Sequence, residues 1–326
     1  MKVDKLLIKL IRIKSPSGNE HKIGEYVFNF LKEEGFNIRK VFVDKNRFNI
    51  VAKLGSPKIF FSTHLDTVAT SFPIKVTKSE IYGRGACDAK ASLAAMVWAA
   101  IESKKRGLTD FGLIFTVGEE TNFIGVRKIL KSGFKIPFVI IGEPTRLDVV
   151  NGHFGVLVLK LIAKGKKAHS SEPEKGVNAI DKLIKAIGLV KTMKIHKKSF
   201  FNFCQIEGGV ADNIIPDRAE STITFRIFPI DKTDYNAEIK KKIKNLAEVK
   251  KTLSLKGLFT KVPKEMNFIK ERRTVKYGTE LSFYKKGVVL GPGDIRFAHG
   301  NKEMVKKSEL KKAVDIYKKI IVNYNS

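Results

Sequence analysis

Over its first 150 residues the chain alternates short apolar segments with helical ones, and this alternation restricts the fold more than any other feature. PKIFFSTHLD (57–66), FGLIFTVGEE (111–120) and PFVIIGEPT (137–145) read as strands rich in Val, Ile and Phe. Between them, ASLAAMVWAAIESKKRG (91–107) and FIGVRKILKSG (123–133) have helical patterning. Strands alternating with helices predict an α/β layer, a mostly parallel sheet with helices on both faces.

From about residue 153 the pattern changes. HFGVLVLKLIAKGKKAH (153–169) reads as one long alternating strand and NAIDKLIKAIGLVKTM (178–193) as a helix. Two strands (199–209 and 219–230), a helix (234–246) and a last strand (248–255) follow. The order β-α-β-β-α-β is that of a ferredoxin-like unit. A turn-rich stretch, VVLGPGDIRFAHGN (288–301), and a final helix complete the chain. The expected organisation is an α/β domain of residues 1–152 and 258–326, interrupted by an α+β domain of residues 153–257.

The chain carries 62 Lys and Arg against 33 Asp and Glu, a formal charge of +29. Two readings stand. One is a polyanionic partner; the other is a lysine-rich, thermophile-like composition with a solvated surface, in keeping with the single glutamine, Gln205. The lysines are scattered, and no zinc-finger spacing or aromatic RNA-binding motif accompanies them, so no nucleic-acid partner is expected. Apolar runs fall short of the roughly 18 residues of a membrane span, so no membrane association is expected. The N-terminal segment reads as an amphipathic helix with no cleavage site, and Cys87 and Cys204 cannot make a disulfide framework. A reducing cytoplasm is the expected location.

Metal-liking residues cluster where strands end: His64 and Asp66 in THLDT, Asp88 in GRGACDAK, Glu119 and Glu120 in VGEET, Glu143 in IGEPT. Each alone has an ordinary explanation; Asp88, for example, would serve as a helix N-cap. Four such signals at β-to-α junctions make a shared site the better account, because the carboxyl ends of parallel strands open on one crevice. Histidine with carboxylates suits zinc or a similar divalent ion. Two neighbouring glutamates could divide the work, one holding metal and the other moving the proton of a water.

HLDTV, YGRGACDAK, GEE, GEPT and the late AH together resemble the di-zinc aminoacylase and carboxypeptidase family of acetylornithine deacetylase and succinyl-diaminopimelate desuccinylase. Within it, the compact chain and GEPT most resemble the hydrolases that release lysine, and in some cases ornithine, from the C-terminal glutamate of a small acidic carrier protein. The resemblance implies two divalent ions per subunit, zinc by default with cobalt or manganese as alternatives. It places His64, Asp88 and Glu143 on one ion, and Asp88, Glu120 and His299 on the other. Glu119 would be the general base and Asp66 would orient His64. In the inserted lid and dimerisation domain, His169 would stabilise the oxyanion, and Asn213 and Arg226 would bind substrate. A homodimer is implied as well. YGTELSF departs from a Gly-Thr-Ser-Asp loop common in relatives, a change that bears on specificity. The expected activity is release of lysine or ornithine from the carrier, with a deacetylase, desuccinylase or carboxypeptidase of small free substrates as the alternative.

Overall fold

The computed structural model describes residues 2–269 and 272–326. The chain opens with α1 (Val3–Arg12), α2 (His21–Glu33), β1 (Asn37–Phe42), β2 (Phe48–Leu54) and β3 (Ile59–His64). There follow β4 (Lys75–Val76), β5 (Glu80–Tyr82), α3 (Lys90–Lys105), β6 (Phe111–Thr116), α4 (Ile124–Lys131), β7 (Val139–Ile141) and β8 (Val149–His153). Next are β9 (Gly155–Lys164), β10 (Ala168–His169), α5 (Ala179–Lys191), β11 (Phe200–Gly208), β12 (Ile214–Ile215), β13 (Arg218–Ile227), α6 (Tyr235–Lys242) and β14 (Glu248–Leu255). The chain closes with β15 (Leu258–Phe259), β16 (Arg272–Val275), β17 (Gly287–Val289), β18 (Met304–Lys306) and α7 (Lys307–Asn325). Two compact units result: Met1–Asn151 with Thr260–Thr274 and Thr279–Ser326, and Gly152–Phe259 with Val275–Gly278.

The first unit is built on a sheet of order β1-β2-β6-β3-β7-β17-β8. Its central strands β6, β3, β7 and β17 run parallel, β2 and β8 flank them antiparallel, and β1 pairs antiparallel with β2 at the edge. Successive strand residues point to opposite faces, and Phe60 and Phe61 are each only 1% exposed, so both faces of β3 are covered. Phe61 meets the Tyr317 ring of α7 edge-on, with centroids 5.4 Å apart. α3 is buried almost all round between α1, α7 and the sheet, which its small residues Ala94, Ala95, Ala99 and Ala100 permit. At its start the buried Lys90 ammonium donates to the carbonyls of Leu10 and Ile13, satisfying the C-terminal end of α1. Burial pulls the Lys90 pKa down to about 7.

Register sets the level at which the parallel strands end. His64 lies opposite Thr116, and Ser62 opposite Ile141. The segments after β3, β6 and β7 therefore leave the sheet side by side.

The second unit has a four-stranded antiparallel sheet of order β11-β13-β9-β14, the ferredoxin-like arrangement, with α5 and α6 contributing to its core. Asn178 and Asp234 cap these helices through their side-chain oxygens. One expectation is corrected: residues 153–169 are not a single strand. β9 ends at Lys164, and at Gly165 a side chain would have its Cβ 2.0 Å from the Val177 carbonyl. The chain turns there, and β10 pairs instead with β12.

Candidate metal centre

His64 ends β3, and its ring is 1% exposed. Its Nδ1 lies 2.9 Å from the Asp66 carbonyl, which calls for a proton on that nitrogen and, in the neutral ring, leaves the Nε2 lone pair to ligate a metal. Nε2 is 3.1 Å from Asp88 Oδ1 and 3.8 Å from Glu143 Oε1. On the other side of Asp88, Oδ2 is 3.3 Å from His299 Nε2, which is also 3.0 Å from Glu120. Two sets of ligand atoms thus converge, His64–Asp88–Glu143 and Asp88–Glu120–His299, each within 4.8 Å. Asp88 belongs to both. Glu143 Oε1 is buried with no hydrogen-bond partner among the described residues. Such an atom is costly unless something positive meets it.

The glutamate pair is presented by a glycine turn. Gly118 has φ +73°, a left-handed conformation that a side chain resists, and a Cβ there would come within 2.9 Å of Ile124. Asp66 then holds the pair from behind. Its two carboxylate oxygens accept the backbone N–H groups of Glu119 and Glu120, each at 3.1 Å, and Oδ2 also accepts the Ser17 hydroxyl at 2.7 Å. Oδ1 lies 3.5 Å from His64 Nδ1. The aspartate expected only behind His64 also organises the loop that carries both glutamates.

Electrostatics separate the carboxyl groups. Burial, reinforced by Glu120, Asp88 and Glu280, pushes the Glu119 pKa well above the usual range, although His64 opposes it. Burial likewise raises Glu143, with Asp88 adding to it. Burial would also raise Asp88, but hydrogen bonds to His299 and His64 prevail and hold it well below the ordinary value. The same bonds, Asp88 first and Glu120 second, lift His299 to about 10. For His64, burial is outweighed by its hydrogen bonds to Asp66 and Asp88, so its pKa lies well above normal.

His64, Asp66, Asp88, Glu119, Glu120, Glu143 and His299 all lie in the first unit. The other three singled-out residues lie in the second. His169 is exposed on β10 opposite Ile214, its Nδ1 2.8 Å from Ser171 Oγ, and Asn213, just before β12, accepts the Ser170 N–H through its backbone carbonyl. Arg226 is on β13, its pKa lowered by burial, and it makes no ion pair among the described residues. Cys87 is a fully buried thiol donating to the Asp294 carbonyl, its pKa raised by burial.

Several groups around the centre escaped the sequence reading. Glu280, 1% exposed, accepts the Thr116 hydroxyl at 2.7 Å behind the end of β6, and its pKa rises to about 7 through burial. Glu303, fully buried, accepts backbone N–H groups at Cys87 and Asp88. The one available signal was its position in HGNKEMV, an acid four residues after His299 and directly before apolar residues.

Residues 60–323 match the model of peptidase family M20/M25/M40. A protein of Aspergillus flavus named "Probable carboxypeptidase" is 31% identical over 366 residues, covering 96% of this chain and 88% of its own length. The crystal structure of a tripeptidase from Staphylococcus aureus superposes with a TM-score of 0.84 at 22% identity, covering 99% of this chain and 97% of that one. A dinuclear metal-binding peptidase of the M20 family from Bacillus subtilis superposes with a TM-score of 0.73 at 16% identity, covering 99% and 97%. Together with the convergent His and carboxylate ligands, the match over most of its length shows that this chain belongs to peptidase family M20/M25/M40.

Proposed function

We propose that this protein is a two-metal amide hydrolase that frees a C-terminal amino acid. Its substrate would be lysine, or ornithine, joined to the C-terminal glutamate of a small acidic carrier protein in lysine and arginine biosynthesis. The residues fit two divalent ions: the donors are imidazole and carboxylate without thiolate, and the buried Glu143 Oε1 is left without a hydrogen bond. His64, Asp88 and Glu143 would hold one ion and Asp88, Glu120 and His299 the other, with zinc, cobalt or manganese as the metal. Bound there, the ions supply Lewis acidity to the scissile carbonyl.

The remaining chemistry belongs to the chain. Glu119 takes the proton of the attacking water and returns it to the leaving amine, as the carboxylate beside the two ligand sets. His169 donates to the oxygen on which charge develops. Arg226, free of any ion pair among the described residues, receives the substrate carboxylate, and Asn213 contributes a further polar contact to substrate. We further propose a homodimer formed through the second unit. In support, β11 is an edge strand, and Ile206 (62% exposed) and Val210 (74%) lie on or just beyond it.

The observation favouring a carrier-borne substrate is the charge of +29, which would steer an acidic protein to the molecule. Relatives named as carboxypeptidase and tripeptidase favour a second reading, hydrolysis of small free peptides or N-acyl amino acids such as acetylornithine and succinyl-diaminopimelate. Turnover of both kinds of substrate across a salt series separates them. On the first reading, kcat/KM for the carrier conjugate is high and falls steeply with salt, and acetylornithine turns over poorly. Equal rates on both, insensitive to salt, would eliminate the carrier.

A further inference from the structure

We propose that Glu303 and Arg84 form a positioning pair that holds Asp88 and His299 in register as ligands of the two ions; the proposal rests on the metal-centre reading above. Antiparallel pairing of β5 with β18 sets Met304 opposite Tyr82. Glu303 therefore stands opposite Gly83, at the entrance to the loop that carries Asp88, and its carbonyl accepts the Gly83 N–H. Its side chain turns into that loop. Oε1 accepts the N–H groups of Cys87 and of Asp88 itself, both at 2.9 Å, and Oε2 accepts Arg84 Nη1 at 2.6 Å.

The arginine carries the link onward. Its Nε donates to the Thr70 carbonyl at 2.5 Å, and Nη2 donates to Thr70 Oγ1 at 2.9 Å and to the Gly300 carbonyl at 3.3 Å. Thr70 lies in the segment leaving His64 and Asp66, and Gly300 directly follows His299. Glu303 and Arg84 are 0% and 7% exposed as side chains, so these bonds are made away from water. An ordinary buried ion pair would brace neighbouring strands. This one ends on the backbone of the shared ligand and on the residue next to another ligand. Residues that orient metal ligands from behind typically govern metal affinity by about 10–100-fold.

Two variants test the idea by titrating Co2+ into metal-free protein, read by calorimetry and visible absorption, with folding checked by circular dichroism. Wild type takes up two ions. Glu303→Gln has one acceptor oxygen where two are used, so it loses either the Cys87 and Asp88 N–H groups or Arg84, and both ions bind about 10–100-fold more weakly with a changed cobalt spectrum. Arg84→Lys keeps the charge opposite Glu303 but loses the planar fork that reaches Thr70 and Gly300, so the ion held by His299 weakens more than the other. A folded Glu303→Gln protein with wild-type affinity and spectrum overturns the proposal. Should Glu303→Gln not fold, Arg84→Lys decides alone, and two unaltered binding steps overturn it. Uptake of fewer than two ions by wild type would instead refute the metal centre on which the proposal stands.

Discussion

At the scale of single residues, the glutamate pair carries the chemistry and predicts a divided outcome. Glu119 and Glu120 share one backbone clamp, Asp66, but their side chains have different surroundings. Glu120 meets His299 at 3.0 Å. Glu119 has its pKa raised by burial, with the neighbouring acids Glu120, Asp88 and Glu280 adding to it. Glu119→Gln is therefore expected to retain both metals and lose at least about 10²–10⁴-fold in kcat, because a carboxamide cannot take a proton. Glu120→Gln should lose one ion preferentially, since it removes a charged ligand from one of the two sets. Metal content by mass spectrometry beside kcat distinguishes them. An active Glu119→Gln enzyme would overturn the assignment of the base while leaving the metal ligands standing.

Among elements, the join between β13 and α6 shows how the second unit is secured. Asp231 accepts the hydroxyls of Ser199 at 2.6 Å and Tyr235 at 2.8 Å and the N–H of Thr233 at 3.1 Å. Tyr235 is fully buried and stacks on Phe225. Burial would raise the Asp231 pKa, but the hydrogen bonds prevail and lower it. A carboxylate with a depressed folded pKa contributes stability that is complete above its unfolded value of about 3.9 and is lost as pH falls through the folded value. Asp231→Ala should thus cost roughly 1–3 kcal/mol at neutral pH, with the difference from wild type shrinking as pH falls below the unfolded value of about 3.9. Urea unfolding at neutral and at acid pH measures it; an undiminished difference in acid would show that the stability comes from packing, not from the ionised carboxylate.

For the whole molecule, assembly and charge matter most. Ile206 and Val210 are exposed on a unit whose β11 has one side unpaired. If the homodimer forms there, the double change Ile206→Lys and Val210→Asp should yield monomers in sedimentation while metal content stays the same. Turnover should fall too if His169 acts on the partner's centre. A dimer that persists in the double variant would place the interface elsewhere.

The alternation of the longer strands and helices, the ferredoxin-like pattern and acids after apolar strands were legible without a structure, whereas short strands such as β5 and β18 were not. The legible features rest on periodicity and on residue chemistry, which are local properties. Three further things were not legible. The break at Gly165 depends on how closely the Val177 carbonyl approaches, a contact between segments that no alternation pattern records. The hold of Asp66 on the Glu119 and Glu120 amides joins positions more than 50 apart in the chain. Glu303 and Arg84 are 219 residues apart, and their pairing exists only because β5 and β18 lie side by side. The sequence by itself pointed to His64, the Glu119–Glu120 pair and Glu143 at or just after the ends of apolar strands, whereas Asp88 and His299 lie in loops. Only the tertiary structure decided which atoms meet, because register and long-range hydrogen bonds arise when distant segments pack.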